Sequence, residues 1–248
     1  MNTNTIAYIL TGSSPTKLGV LDLITNSLYR SECYVYEMHT FDDADTGQFF
    51  FRMEFNYRGT GEFSEESLCH QLTERASSFE VEWELRNLGT PEKVVILVSK
   101  YDHCLQDLLH RYSTGALNIE VPAIISNHPD LQKQAGWYNI PYYHLPVTPE
   151  TKVEQEAKMW DIIQQSEADL VVLARYMQVL SEDMCKKLHG QAINIHHSLL
   201  PGFKGAKPYH QAYDKGVKLV GATAHYVSQD LDEGPIISQG VEPVDHTY

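Results

Sequence analysis

Val94-Val95-Ile96-Leu97-Val98 and, further on, Leu170-Val171-Val172-Leu173-Ala174 are unbroken apolar runs of strand length. A strand with one wet face alternates apolar and polar residues, whereas a strand covered on both faces does not. The two runs therefore predict a sheet with helices on both sides. The neighbouring segments agree: helices are expected at 104–112, 130–137, 151–165, 181–188 and 208–215. Strands are expected at 121–126, 142–145, 192–195, 220–226 and 235–244. Such alternation makes a doubly wound, mainly parallel α/β domain. Ligands in these sheets sit beyond the carboxyl ends of the strands, so the residues after Ala174, Ile195 and Tyr226 are the first to inspect.

The first third of the chain has a different rhythm. A strand at 5–10 is followed by a helix, capped by Thr16 or Ser14, that carries Leu18, Leu21, Ile24 and Leu28 at helical spacing. Strands at 33–41 and 48–57 flank the turn Asp42-Asp43-Ala44-Asp45-Thr46-Gly47 and form a hairpin. Ser64 opens a second helix, and 79–85 reads as a closing strand. The order β-α-β-β-α-β is the split βαβ arrangement of ferredoxin-like α+β folds. No nucleophile, metal cluster or phosphate loop is visible there, so this half reads as regulatory or oligomerising. Gly19, at the first strand-to-helix connection, fits a small-effector site or a plain helix-packing glycine equally well. The organisation is therefore 1–86, a short linker at 87–92 containing Gly89 and Pro91, and a catalytic domain at 93–248.

Composition removes several function classes. The 248 residues are 42% hydrophobic and 10% aromatic, as in folded globular proteins. The formal net charge of −14 argues against nucleic-acid binding, which needs a basic face. No apolar run approaches the roughly 20 residues of a membrane span. The polar start Met1-Asn2-Thr3-Asn4-Thr5 is unlike a secretory signal. The four cysteines, Cys33, Cys69, Cys104 and Cys185, form no CxxC pair and read as reduced thiols of a cytoplasmic protein. Lys204, Lys207, Lys215 and Lys218, with Asp214 between them, form either a solvated face or an anion-receiving patch. The turn Ser99-Lys100-Tyr101-Asp102-His103-Cys104 contains no glycine, which argues against a dinucleotide or phosphate cradle at that position.

The chemistry concentrates in Ala192-Ile193-Asn194-Ile195-His196-His197-Ser198-Leu199-Leu200-Pro201 and in Leu231-Asp232-Glu233-Gly234-Pro235. Six of the twelve histidines lie from His189 to His246, which raises a metal reading. Neighbours on an extended chain point to opposite faces, however, so His196 and His197 are poor partners for one ion, and no HExxH spacing occurs. No metal and no cofactor is expected. Asn194 and His196 do share a face. An amide N–H can meet a developing oxyanion, and an imidazole can exchange a proton near neutrality. Asp232 can orient the imidazole, position water or act as a base. Ser198 lacks the GxSxG context of a nucleophile and reads as a turn residue.

These blocks, with Gly205, Lys207-Pro208-Tyr209-His210-Gln211-Ala212-Tyr213 and Gly221-Ala222-Thr223-Ala224-His225-Tyr226-Val227, resemble the folate-dependent formyltransferase superfamily. The His196-His197 doublet and the 207–213 run resemble its formyltetrahydrofolate deformylase branch. The resemblance implies an N-terminal ACT domain with an amino-acid effector, a homo-oligomer, and hydrolysis of 10-formyltetrahydrofolate to tetrahydrofolate and formate within one-carbon metabolism and purine biosynthesis. It implies Asn194, His196 and Asp232 as the catalytic set. It also implies a pterin slot made by Arg175, Tyr176, Met177, Gln178, Val179 and Leu180, with Val227 to Asp232, Leu231 included, as the other wall and His225 in support. The family pattern continues beyond Tyr248 with a helical segment and a closing strand. The turn Gly12-Ser13-Ser14-Pro15-Thr16-Lys17 is not the family's usual Asp-rich version, which implies a different effector or none. Two alternatives use the same residues: formyl transfer to an amine, and a catalytically impaired folate- or amino-acid-binding regulator.

Overall fold

The computed structural model describes residues 6–205 and 207–245. Thr5, expected in the first strand, and residues 246–248, including His246, lie outside the described residues. The chain divides between Thr90 and Pro91 into two compact units.

The first unit runs β1 (Ala7–Pro15), α1 (Val20–Arg30), β2 (Cys33–Asp43), β3 (Gln48–Tyr57), α2 (Glu65–Ala76), a 3-10 turn (Ser77–Phe79) and β4 (Glu82–Asn87). Its sheet has the order β2-β3-β1-β4 with antiparallel pairing throughout. Alternation along β3 sends Phe51, Met53 and Phe55 inward. Leu23, Ile24 and Leu28 of α1 and Leu68 and Leu72 of α2 share one buried cluster with those three side chains. Ser64 caps α2 by accepting the Ser67 N–H at 3.1 Å.

Two expectations are corrected here. β1 continues through Pro15 because β3 offers it partners as far as Gln48, so 12–15 is strand, and the cap of α1 is Gly19 (φ 97°) rather than Thr16 or Ser14. The closing strand starts at Glu82 rather than 79, since 77–79 closes as a 3-10 turn and Glu80 turns left-handed (φ 56°).

The second unit contains β5 (Glu92–Val98), α3 (His103–Ser113), β6 (Ile119–Glu120), β7 (Ile124–Ser126), α4 (Gln132–Trp137), β8 (Tyr142–His144), α5 (Lys152–Gln165) and β9 (Leu170–Leu173). It continues with α6 (Glu182–Lys187), β10 (Ala192–His196), α7 (Pro208–Asp214), β11 (Leu219–Tyr226) and β12 (Ile236–Pro243). Asn87 thus closes β4 and Glu92 opens β5, at the two ends of the expected linker. The sheet order is β12-β11-β10-β9-β5-β7-β8, with the short β6 beside the start of β5. Val94, Ile96 and Val98 pack with Leu105 and Leu109 of α3 and Ala135 of α4. Val95 and Leu97 pack with Met159 and Ile163 of α5 and Met184 of α6. Both faces of β5 are therefore dry, which is why its sequence does not alternate.

The strands from β8 to β10 are parallel, but β11 and β12 are antiparallel additions. This corrects one expectation about the site. Tyr226 lies opposite Ile193, near the start of β10, so the end of β11 is not at the carboxyl edge of the sheet. The segment after it has to double back to reach that edge.

Candidate active site

β10 carries Asn194 and His196 on one face, and His196 is buried. The strand ends at His196, and the chain turns through the cis Leu200–Pro201 bond. Thr223 of β11 holds this turn. Its buried hydroxyl donates to the Ser198 carbonyl (2.8 Å) and accepts the Leu200 N–H (3.1 Å). From β12, the Gln239 amide donates to the Leu200 carbonyl (2.9 Å) and to Thr223 Oγ1 (3.1 Å). The antiparallel edge thus fixes the loop that follows the histidines.

Asp232 lies in the β11–β12 connection with left-handed backbone (φ 58°). That conformation costs a non-glycine residue on the order of 1 kcal/mol, although aspartate tolerates it better than most. Gly234 makes the return possible, because a Cβ there would lie 1.8 Å from the Tyr226 carbonyl oxygen. Asp232 Oδ2 accepts the Gly205 N–H at 2.9 Å. Its Oδ1 lies 3.4 Å from His196 Nδ1 and 3.8 Å from His225 Nε2.

The other His196 nitrogen, Nε2, donates to the Phe203 carbonyl at 2.8 Å. Both ring nitrogens face acceptors, an arrangement satisfied by the imidazolium. Burial pulls the His196 pKa down, but the Asp232 carboxylate and the Phe203 carbonyl outweigh it and leave the pKa raised. Burial likewise pushes Asp232 up, and His196 with the Gly205 N–H outweighs it, leaving the carboxyl lowered. Each shift favours the charged form, a carboxylate facing an imidazolium. His225 Nδ1 donates to the Tyr226 carbonyl (2.9 Å), which leaves Nε2 to accept from the Asn194 amide at 3.1 Å. This turns the N–H₂ end of Asn194 toward His225 and leaves its second N–H for the cavity.

A cavity of about 260 Å³ opens beside these groups. Every residue from Arg175 to Leu180 lines one side, and Val227 and Leu231 line another, together with Asn194, His196, His225 and Asp232. Met177 and Val179 are exposed at the mouth, whereas Tyr176 is buried in the core below. Burial, then the nearby Glu156 carboxylate, pushes the Tyr176 hydroxyl far up, so it stays protonated. Ser99 Oγ accepts the Met177 N–H (2.9 Å) and donates to Asn127 Oδ1 (2.6 Å), tying this wall to the turn after β5. Arg175 has left-handed backbone (φ 61°), and its guanidinium lies over Tyr101 at 5.2 Å.

His197 departs from the expectation of opposite faces. The strand has ended one residue earlier, so alternation no longer applies, and His197 lines the same cavity with its ring 5.5 Å from that of His196. Ser228 and Gln229, inside the expected 227–232 wall, also line it, as do Cys185 and Gly205. Of the residues not expected there, His197 and Gly205 fall in the motifs quoted from the sequence, and Cys185 carries no such signal. Of the lysine cluster, Lys204 pairs with Glu233 (2.7 Å) and Lys215 lies over Phe203 (5.5 Å).

Residues 92–248 match the Formyl transferase family. A formyltetrahydrofolate deformylase from Corynebacterium sp. (strain P-1) is 47% identical over 98% of this chain and 85% of its own length. The crystal structure of a formyltetrahydrofolate deformylase from Pseudomonas putida KT2440 is 55% identical, with a TM-score of 0.89 over 97% of this chain and 85% of that one. A phosphoribosylglycinamide formyltransferase from Anaplasma phagocytophilum matches at 34% identity and a TM-score of 0.58, over 63% of this chain and 74% of that one. The transferase likeness is thus partial while the deformylase likeness runs through nearly all of this chain, which belongs to the formyltetrahydrofolate deformylase family.

Proposed function

We propose that this chain hydrolyses 10-formyltetrahydrofolate to tetrahydrofolate and formate. The observation that carries this reading is the meeting of Asn194, His196 and Asp232 in one cavity with an apolar-walled slot beside it. A flat heteroaromatic suits such a slot, with the backbone of 175–180 and the 227–231 segment supplying polar edges. The formyl group then lies over β10. The free Asn194 N–H donates to the developing oxyanion, and the His196 cation stabilises it through its charge. Asp232 keeps that imidazole charged and positions water. His225 acts by orienting Asn194. The turn after β5, without glycine, supports water rather than a phosphate-bearing amine as acceptor.

We read the first unit as an ACT-type regulatory domain, residues 1–86, joined through 87–92 to a catalytic domain at 93–248. Its β-α-β-β-α-β order and Gly19 at the head of α1 support that reading. An amino acid is the proposed effector, and a homo-oligomer in the cytoplasm the proposed state. Among the described residues no helix is long and apolar enough to cross a membrane. The reaction as proposed uses no cofactor or metal.

The test is formate release from 10-formyltetrahydrofolate without added amine. Asn194→Ala should lower kcat by about 10²–10³, the cost of one oxyanion donor. Near wild-type turnover by that variant would sink the assignment.

A further inference from the structure

We propose that His197 is the base that takes the proton from the attacking water, an inference that rests on the hydrolytic reading above. The other candidates are already committed. Asp232 uses one oxygen for the Gly205 N–H and turns the other toward two imidazoles. His196 faces an acceptor at each nitrogen. His225 gives one nitrogen to the Tyr226 carbonyl and the other to Asn194.

His197 lines the same cavity and is the histidine there that remains uncommitted. Its ring centroid lies 5.5 Å from that of His196 and 5.6 Å from that of Tyr209 of α7. Among the described residues its nitrogens have no hydrogen-bond partner. The groups facing it are Arg175 after β9, His196 on β10, His103 on α3, Tyr209 on α7 and Asp232 in the β11–β12 loop. Burial and then the Arg175 and His196 charges hold its pKa down, against the weaker pull of Asp232. A neutral imidazole with a free lone pair, beside a cation, is what a base for water requires.

Water oxygen bonds to the formyl carbon as one water proton passes to His197, and the carbonyl π pair becomes the oxyanion. The oxyanion collapses, the C–N10 bond breaks with its electrons on N10, and the His197 proton passes to N10. Tetrahydrofolate leaves, and formic acid loses its proton to solvent.

The experiment compares wild type with His197→Gln, measuring formate release from pH 5 to 9 and the Kd for tetrahydrofolate. The expected result is a kcat lower by about 10²-fold or more, with Kd changed less than about threefold. The wild-type acid limb, with a midpoint below about 6.5, should be absent from the variant. A kcat within about threefold of wild type, or a slowed variant that keeps the same acid limb, overturns the proposal. Should His197→Gln not fold, the wild-type profile decides: a rate with no acid limb below about 6.5 overturns it. Absence of formate from wild type refutes the parent hydrolytic reading instead.

Discussion

Asp232→Asn separates charge from shape at the site. The asparagine carbonyl can still accept the Gly205 N–H, so the loop keeps its anchor while the carboxylate is lost. At 3.4 Å, with an effective dielectric of about 20, the attraction between Asp232 and the His196 cation is about 5 kcal/mol. Burial of both groups opposes that attraction, and in the variant burial acts on His196 without the carboxylate to offset it. The imidazole then loses its proton at lower pH, and with it the charge that faces the oxyanion. A kcat lower by roughly 10²–10³ at about pH 7.5 is expected, comparable to the loss of an oxyanion donor. The assay is formate release across pH. In wild type the alkaline limb should lie above about 6.5, the ordinary histidine value, and in the variant it should move down so that activity partly recovers on acidification. Turnover within about threefold of wild type with an unmoved alkaline limb would refute the reasoning.

Two further predictions concern the support around the site. Thr223→Val removes a hydroxyl that serves Ser198, Leu200 and Gln239; leaving buried partners unmet should cost about 2–4 kcal/mol in urea unfolding, and a loss under about 0.5 kcal/mol would contradict the assigned network. The Asp232–His196 pair should also shape stability with pH. Its lowered carboxyl contributes above the unfolded carboxyl pKa and is lost as pH falls through the folded value. Its raised imidazole contributes below the unfolded histidine pKa and is lost as pH rises through the folded value. The Tm gap between wild type and Asp232→Asn should therefore be widest from about pH 4 to 6.5 and shrink on both sides.

The parts legible in the sequence are those where a local pattern has one physical cause. Val94–Val98 lacks alternation because both faces are dry, and Ser64 announces a helix because its hydroxyl meets the N–H three residues on. Asn194 and His196 are visible as a pair through the two-residue period of a strand. Strand direction has no such signature, so the antiparallel setting of β11 is not legible, nor is the doubling back that brings Asp232 to His196. The wall from Arg175 to Leu180 has no periodic signal and is visible only through family resemblance. Alternation misplaces His197 because the rule ceases to hold one residue earlier, where the strand ends.

That end point governs how two adjacent histidines come to differ. Had β10 continued, His197 would have faced away from the cavity; because it stops at His196, both rings reach the same space while their neighbours differ. His196 meets a carboxylate and a carbonyl, so its charged form is favoured. His197 meets a guanidinium and the His196 cation, so its neutral form is favoured. Each protonation state reinforces the other, since the His196 charge is itself one reason His197 stays neutral. Between the two pKa values the site holds a cation for the oxyanion and a neutral base for water at once, the separation that acid–base chemistry near neutrality requires. Removing Asp232 should therefore bring the alkaline limb of the pH profile down toward the acid limb and narrow the range in which the His196 cation and a neutral His197 coexist.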